Sequence, residues 1–311
     1  MATQLEPPPE SSSAPPLPAK ELEFEITHTT LYRYGHPAAE AYGEARLTPP
    51  SLPAQTVVKH ALMLDPETQT SQYVDHYGNV VDFFSLPYRH KKLIVRNEMI
   101  VQTRPPARPA ESLELTIGEA RQIFSSALTD IFDYLQPTEI VEIGSDAVQW
   151  ARRFLPLKMS LAEALPRLNE AIHDSFDYKK GETDNSTTLS AIWKQRKGVC
   201  QDFAHVALSV LRTAGLPARY VCGYIETDPP APGTKALTGA VATHAWIEVL
   251  VPGMTWVALD PTNRQWVNER YVAVSFGRDS RDATPLRGTF KGSGGQRMDV
   301  KVVMKRRAAK K

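Results

Sequence analysis

Gly198-Val199-Cys200-Gln201-Asp202-Phe203-Ala204-His205, an apolar run to Gly215, and then Ala218-Arg219-Tyr220-Val221-Cys222-Gly223-Tyr224 decide how this chain folds. Phe203, Ala207, Val210, Leu211 and Ala214 recur at helical spacing, which predicts an amphipathic helix opening at Cys200. Gly215 and then Pro217 are its stop signals. The alternating β-branched and aromatic residues after Pro217 predict a strand. Cys200 therefore falls in a first helical turn. There the leading backbone N–H groups have no intrahelical partner, and the dipole favours a thiolate over a thiol. The competing reading of Cys200 is a small buried apolar residue, the common fate of a lone cysteine.

Two further strands follow, Thr243 to Val251 and Thr255 to Leu259, joined across the turn signal Pro252-Gly253. An antiparallel hairpin brings His244, at the start of one arm, to the same end as Asp260, at the close of the other. A three-residue loop at Val251–Gly253 would set them directly opposite. A two-residue loop would offset them, because a slip of one residue reverses the face. The sequence leaves both registers open. Cysteine, histidine and aspartate in this order are the chemical set of a thiol nucleophile, with a base to take its proton and a carboxylate to orient the base.

On these blocks the chain resembles the bacterial transglutaminase-like family, within the papain-like thiol enzymes. The matching residues are Gly198 to His205, Gly215-Leu216-Pro217-Ala218-Arg219-Tyr220-Val221 with Gly223-Tyr224, His244-Ala245-Trp246-Ile247-Glu248-Val249, and Trp256-Val257 with Asp260-Pro261-Thr262-Asn263. The resemblance implies Cys200 as nucleophile, His244 as general base and Asp260 as orienting carboxylate. It also implies that Tyr178, in Phe176-Asp177-Tyr178, lies near the site and helps form an oxyanion hole beside the Cys200 backbone N–H. Trp193 and Trp246 are candidate walls of the substrate cleft, against the plainer reading of core packing. Asp202 suits the helix dipole and is read as structural, as is His205. Cys222 is read as a buried thiol.

The formal net charge is +1 over 311 residues, so no global field argues for nucleic acid or a membrane surface. No apolar run approaches the roughly 20 residues of a membrane-spanning helix. Two cysteines make a disulfide framework improbable in a chain this long, and a reduced nucleophile fits a cytoplasmic setting. The Pro- and Ser-rich opening has neither a basic start nor an apolar stretch, so it does not read as a secretory signal.

In order, residues 1–20 read as a disordered tail and 21–104 as a β-rich N-terminal domain, a small sandwich or barrel. Strands are expected from Glu21 to Tyr34, Gln55 to Leu64 and Leu93 to Thr103, with a hairpin from Gln72 to Phe84 folded at Tyr77-Gly78-Asn79. This region resembles the domain that precedes the bacterial family's core, through Thr29 to Tyr34, Arg46-Leu47-Thr48-Pro49 and Asp75-His76-Tyr77-Gly78-Asn79. Its histidines do not sit at metal-ligand spacing. Residues 105–160 read as linker and helices, with helical patterns at Glu119 to Leu135 and Ala147 to Leu155. The catalytic core spans 161–292, with helices at Leu161 to Phe176 and Thr187 to Lys197. A strand and a basic tail close the chain over 293–311.

The expected fold is α+β: a nucleophile helix packed on an antiparallel sheet, in the papain-like/transglutaminase-like manner, preceded by the β-rich domain. The expected reaction is attack of Cys200 on a peptide or protein amide to give a thioester, with hydrolysis favoured over transfer to an amine and no cofactor needed. Two other classes compete: a binding or scaffold protein that kept the fold, and a thiol redox protein using Cys200 with Cys222. No Cys-x-x-Cys supports the redox reading. The residue pattern assigns no oligomeric state.

Overall fold

The computed structural model describes residues 21–126, 128–184, 186–227, 236–239 and 242–307. The expected tail over 1–20, residues 228–235 between two core strands and the end of the basic tail lie outside the described residues. Six strands lead: β1 (Leu22–Ala38), β2 (Glu40–Thr48), β3 (Gln55–Asp65), β4 (Thr70–Val74), β5 (Val80–Leu86) and β6 (His90–Thr103). Then come α1 (Ala110–Glu114), α2 (Ile117–Ser125), α3 (Leu128–Ile131), α4 (Ser145–Phe154), α5 (Leu161–Ser175), β7 (Asp177–Tyr178), α6 (Leu189–Gln195), β8 (Lys197–Gly198) and α7 (Cys200–Thr213). The chain closes with β9 (Ala218–Ile225), β10 (His244–Val251), β11 (Thr255–Asp260), β12 (Gln265–Trp266), β13 (Tyr271–Gly277), β14 (Leu286–Lys291) and β15 (Gln296–Arg306).

The first six strands and the last two build two four-stranded sheets, ordered β15-β1-β6-β3 and β14-β2-β5-β4. Ala41, Ala45, Leu47, Phe84 and Leu86 of one sheet meet Leu93 and Val95 of the other, so they form a sandwich. The segment expected as one helix from Glu119 to Leu135 is instead broken: α2 ends at Ser125, and α3 passes into a 3-10 turn at Phe132–Tyr134.

The core sheet is ordered β12-β11-β10-β9-β13, and α7 lies across it. The helix expected to be amphipathic is buried all round, with only Gln201 and Thr213 partly exposed. Its second side is covered by α4, α5 and α6, so no face is left for water. The helix ends as the stop signals predict. Gly215 takes φ 75°, and Leu216 N–H reaches back to the Leu211 carbonyl at 3.0 Å.

β13 is the free edge of this sheet, and the sandwich covers it with side-chain amides. Gln55 donates from Nε2 to the Ala273 carbonyl at 2.9 Å and accepts from Ala273 N–H at 2.8 Å. Asn79 does the same for Phe276, at 2.8 and 2.7 Å. The two amides bracket a bulge between Ala273 and Ser275, satisfying backbone groups that an unprotected edge would leave open. Asp75 holds the Asn79 turn through both carboxylate oxygens, which gives the Asp75-to-Asn79 motif its physical role. Asn79→Ala is expected to leave the Phe276 N–H and carbonyl buried without partners and to cost about 2 kcal/mol in urea unfolding. Unchanged stability would show that water or a local shift replaces the amide.

Candidate active site

Cys200 stands at the N-terminus of α7 and is 7% exposed. Asp202, in the same turn, folds back so that its Oδ2 accepts from Val199 N–H at 2.7 Å and from Thr183 Oγ1 at 2.7 Å. A Cβ at Gly198 would lie 2.4 Å from that oxygen, so a side chain there would displace the carboxylate. Burial pushes the Asp202 carboxyl up, and the Val199 and Thr183 donors oppose the shift without cancelling it. Asp202 thus fixes the approach to Cys200, a more specific task than the dipole complement expected of it.

The β10–β11 hairpin settles the register left open by the sequence. Val251 faces Thr255, so the loop is Pro252-Gly253-Met254, one step later than the Val251–Gly253 loop considered above. Continued to its end, the pairing sets Asp260 across from Trp246, two residues beyond His244. A shift of two preserves the face, so His244 and Asp260 become diagonal neighbours on one face of the sheet. His244 Nε2 lies 2.8 Å from Asp260 Oδ2, with both side chains almost wholly buried. Asp260 accepts further bonds from Thr262 N–H, Asn263 N–H, Asn263 Nδ2 and Tyr271 Oη, at 2.7 to 3.1 Å.

Burial pushes the Asp260 carboxyl up, but the His244 charge and these donors outweigh it and hold it below the ordinary carboxylate range. Burial likewise opposes charge on His244. The Asp260 carboxylate and then the Cys200 sulfur outweigh that, and the imidazole is raised well above its ordinary value. The second ring nitrogen, Nδ1, is buried without a hydrogen-bond partner among the described residues.

A cleft of about 410 Å³ joins Cys200 and His244 to Tyr178, Tyr220, Gln201 and Val300. Tyr178 lines this cleft. Its hydroxyl is buried without a partner among the described residues. Burial, then the charges of Cys200, Asp260 and Asp202, push that hydroxyl up to about 12, which keeps it a neutral donor at ordinary pH.

The expected tryptophan walls need correction. Trp193 packs into the core, with ring centroids 5.1 Å from Trp150 and 5.5 Å from Phe176, and does not line this cleft. Trp246 stacks on the His244 ring at 6.3 Å and 28°, on the face of the sheet turned away from α7, and does not line this cleft. His205 and Cys222 are buried, as expected of core residues. Burial holds the His205 imidazole down at about 3, so it stays neutral. Arg278 pairs with Asp282 at 2.8 Å. Sequence reasoning missed Tyr271 as a donor to Asp260 and Val300 as a cleft wall. Both arrive from other strands, and no local pattern marks them.

A cysteine at the head of a buried helix, beside a histidine and aspartate on neighbouring strands of an antiparallel sheet, defines a papain-like α+β fold. The chain belongs to the bacterial transglutaminase-like family: the transglutaminase-like superfamily matches residues 148–261 and the bacterial transglutaminase-like N-terminal region matches residues 24–102. An uncharacterised protein of Mycobacterium tuberculosis is 38% identical over 281 residues, 85% of this chain and 86% of that protein. The protein-glutamine gamma-glutamyltransferase of Pseudomonas aeruginosa is 34% identical over 104 residues, which is 33% of this chain and 15% of that enzyme. Among solved structures, a candidate cysteine protease from Cytophaga hutchinsonii superposes with a TM-score of 0.74 at 18% identity, over 94% of this chain and 93% of that one. That likeness concerns the fold.

Proposed function

We propose that the protein is a thiol amidohydrolase acting on peptide or isopeptide bonds through a thioester at Cys200. The observation that carries this reading is the division of labour on the His244 ring. Nε2 is committed to Asp260, while buried Nδ1 is left over in the cleft that Cys200 lines. The Cys200 thiolate adds to the amide carbonyl carbon. The resulting oxyanion takes the Cys200 backbone N–H at the helix head and the unspent Tyr178 hydroxyl. As the C–N bond breaks, His244 gives its Nδ1 proton to the departing amine. Water then loses a proton to the same nitrogen and attacks the thioester. The carbonyl reforms as the Cys200 thiolate leaves. These steps ask nothing of a metal or organic cofactor. The same reading places the enzyme in a reducing compartment, the cytoplasm, because the nucleophile must stay a free thiol. No helix among the described residues is long and apolar enough to cross a membrane.

Hydrolysis is favoured over amine transfer because transfer needs a water-excluding aromatic channel at the thioester. No tryptophan lines the Cys200 cleft among the described residues, and Trp246 and Trp256 both border a separate cavity. The partial likeness to a gamma-glutamyltransferase makes transfer the competing outcome. The test is product partitioning. A cleavable glutaminyl or peptide amide is supplied with rising primary amine, and acid is quantified against new amide. Acid is expected to predominate through millimolar amine. Predominant amide would make the enzyme an acyltransferase.

A further inference from the structure

The Cys200 cleft does not end at the catalytic groups. A second chamber, of about 510 Å³, continues from it, and Tyr178, Lys180 and Ala242 line both. Its walls come from the core and from the sandwich. Ile225 ends β9, Leu237 and Gly239 precede β10, and Val302 and Met304 belong to β15. The lining is apolar. Tyr224 lines the chamber too, but its hydroxyl is already hydrogen-bonded to His28 Nδ1 at 2.7 Å. Lys180 is the only charged side chain among the described lining residues, and it is exposed at the mouth shared with the cleft.

The wall that precedes β10 is held in place. Thr238 N–H donates to Asn263 Oδ1 at 2.7 Å, and the Thr238 carbonyl accepts from Asn263 Nδ2 at 3.0 Å. The same Nδ2 donates to Asp260 Oδ2 at 2.7 Å, so this wall is tied to the carboxylate that holds His244. Gly239 marks the side of the scissile bond that the chamber serves. A Cβ there would lie 3.6 Å from His244 Nδ1 and 2.6 Å from Ile225 Cδ1. The Gly239 backbone therefore runs from the Nδ1 edge of the imidazole to the chamber wall. In the reaction proposed above, Nδ1 is the atom that protonates the departing amine. Val199 and Gln201, which flank Cys200, line the cleft but not the chamber.

β15 offers backbone as well as side chains. It ends its sheet, with β1 along one side and no strand along the other among the described residues. Val300 lines the cleft, Val302 and Met304 line the chamber, and strand alternation puts all three on one face. One strand with an unpaired edge thus runs along both spaces. Such an edge is a template for an incoming extended chain.

We propose that the substrate is an extended polypeptide whose residues on the leaving-amine side of the scissile bond pair with the free edge of β15 and place an apolar side chain in the second chamber. Which side of the bond the chamber serves rests on the thiol reading above; its apolar character does not. The β-sandwich then takes part in substrate selection, through Val302 and Met304, and is more than a support for the core sheet.

The test follows alkylation of Cys200 in the full chain by mass spectrometry. N-chloroacetyl-trileucine amide carries its peptide on the amine side of the reactive group, and acetyl-trileucine chloromethyl ketone carries it on the acyl side. Each is compared with its triglycine counterpart. Trileucine is expected to label about tenfold faster than triglycine in the chloroacetyl series, the effect of one largely buried leucine, and less than about threefold faster in the ketone series. Val302→Asp should bring the chloroacetyl ratio below about threefold. Met304→Gln, a milder change, should at least halve that ratio, should Val302→Asp fail to fold. Only alternate N–H groups of a strand face its partner, so N-methylation at one of the first two leucines should slow labelling by about fivefold, and at the other by less. A chloroacetyl ratio near one, or one unchanged in both variants, overturns the subsite. A ratio as large in the ketone series overturns the leaving-side assignment. Fastest labelling by the triaspartate counterpart would mean that Lys180 selects, and overturns the apolar preference. Two N-methyl peptides that label like their parent overturn the strand pairing. The thiol reading fails separately, if iodoacetamide labels Cys200 no faster than glutathione at neutral pH, and the leucine-to-glycine ratio still reports on the chamber.

Discussion

Cys200→Ala is expected to lower kcat/KM on any amide the enzyme cleaves by about 10⁵-fold, and His244→Ala by nearly as much, with the fold intact in both. Groups that act as one unit lose almost everything with any essential member, as measured in other triads. Asp260→Asn differs in kind. Asparagine can still accept from the His244 ring, but it removes the negative charge that, against burial, raises the imidazole. The sign follows. In the parent the imidazolium persists well above the ordinary value of 6.5, so the alkaline limb of activity lies far above neutral. In Asp260→Asn that limb moves to lower pH, and a residual rate of about 10⁻⁴ of the parent remains. The charged pair also stabilises the fold. The contribution of His244 is lost as pH rises through its raised folded value, and that of Asp260 is lost as pH falls through its lowered folded value, so the pair stabilises most between the ordinary carboxylate and imidazole ranges. The measurements are kcat/KM against pH, with circular dichroism on each variant. Near-parental turnover in His244→Ala on a substrate that Cys200→Ala cannot cleave would mean that the base is misassigned.

Local patterns carried the helix start at Cys200, its Gly215 stop and the two arms of the hairpin, because each is written within a few residues. They also placed Cys200 at a helix start and His244 and Asp260 at one end of the hairpin, which is where the structure has them. They did not carry the register, which depends on a loop where Met254 takes φ 59°, a conformation that a methionine does not advertise. Nor did they separate Trp193 from a cleft wall, since an aromatic at helical spacing looks the same in a core as beside a substrate. The contacts between sandwich and core sheet were also hidden. Gln55 and Asn79 meet β13 across 218 and 197 residues of chain, and Tyr271 bonds an aspartate from a different strand. The final strand was legible as a strand, while its pairing with β1 was not, because pairing is decided by the whole sandwich.

Gly223→Ala should cost about 3 kcal/mol. The reason is geometric. An added Cβ would lie 2.1 Å from the Val272 carbonyl oxygen and 2.5 Å from Trp246 Cη2. The first is backbone of β13, paired to β9 on one side and held by Gln55 at Ala273 on the other, so it cannot retreat cheaply. The second is the edge of a fully buried indole packed against the Tyr271 ring at 5.4 Å. Because Gly223 faces His244 across the β9–β10 ladder and Trp246 stacks on that histidine, the same methyl should also depress activity. Gly295, with nothing within 4 Å of its added Cβ, is the matched control, and its alanine variant should stay within about 0.5 kcal/mol of the parent. Urea unfolding of the two variants decides the matter. A Gly223→Ala midpoint equal to that of Gly295→Ala would show that β13 and Trp246 yield together, and that the close approach at Gly223 does not hold the His244 end of the sheet in place.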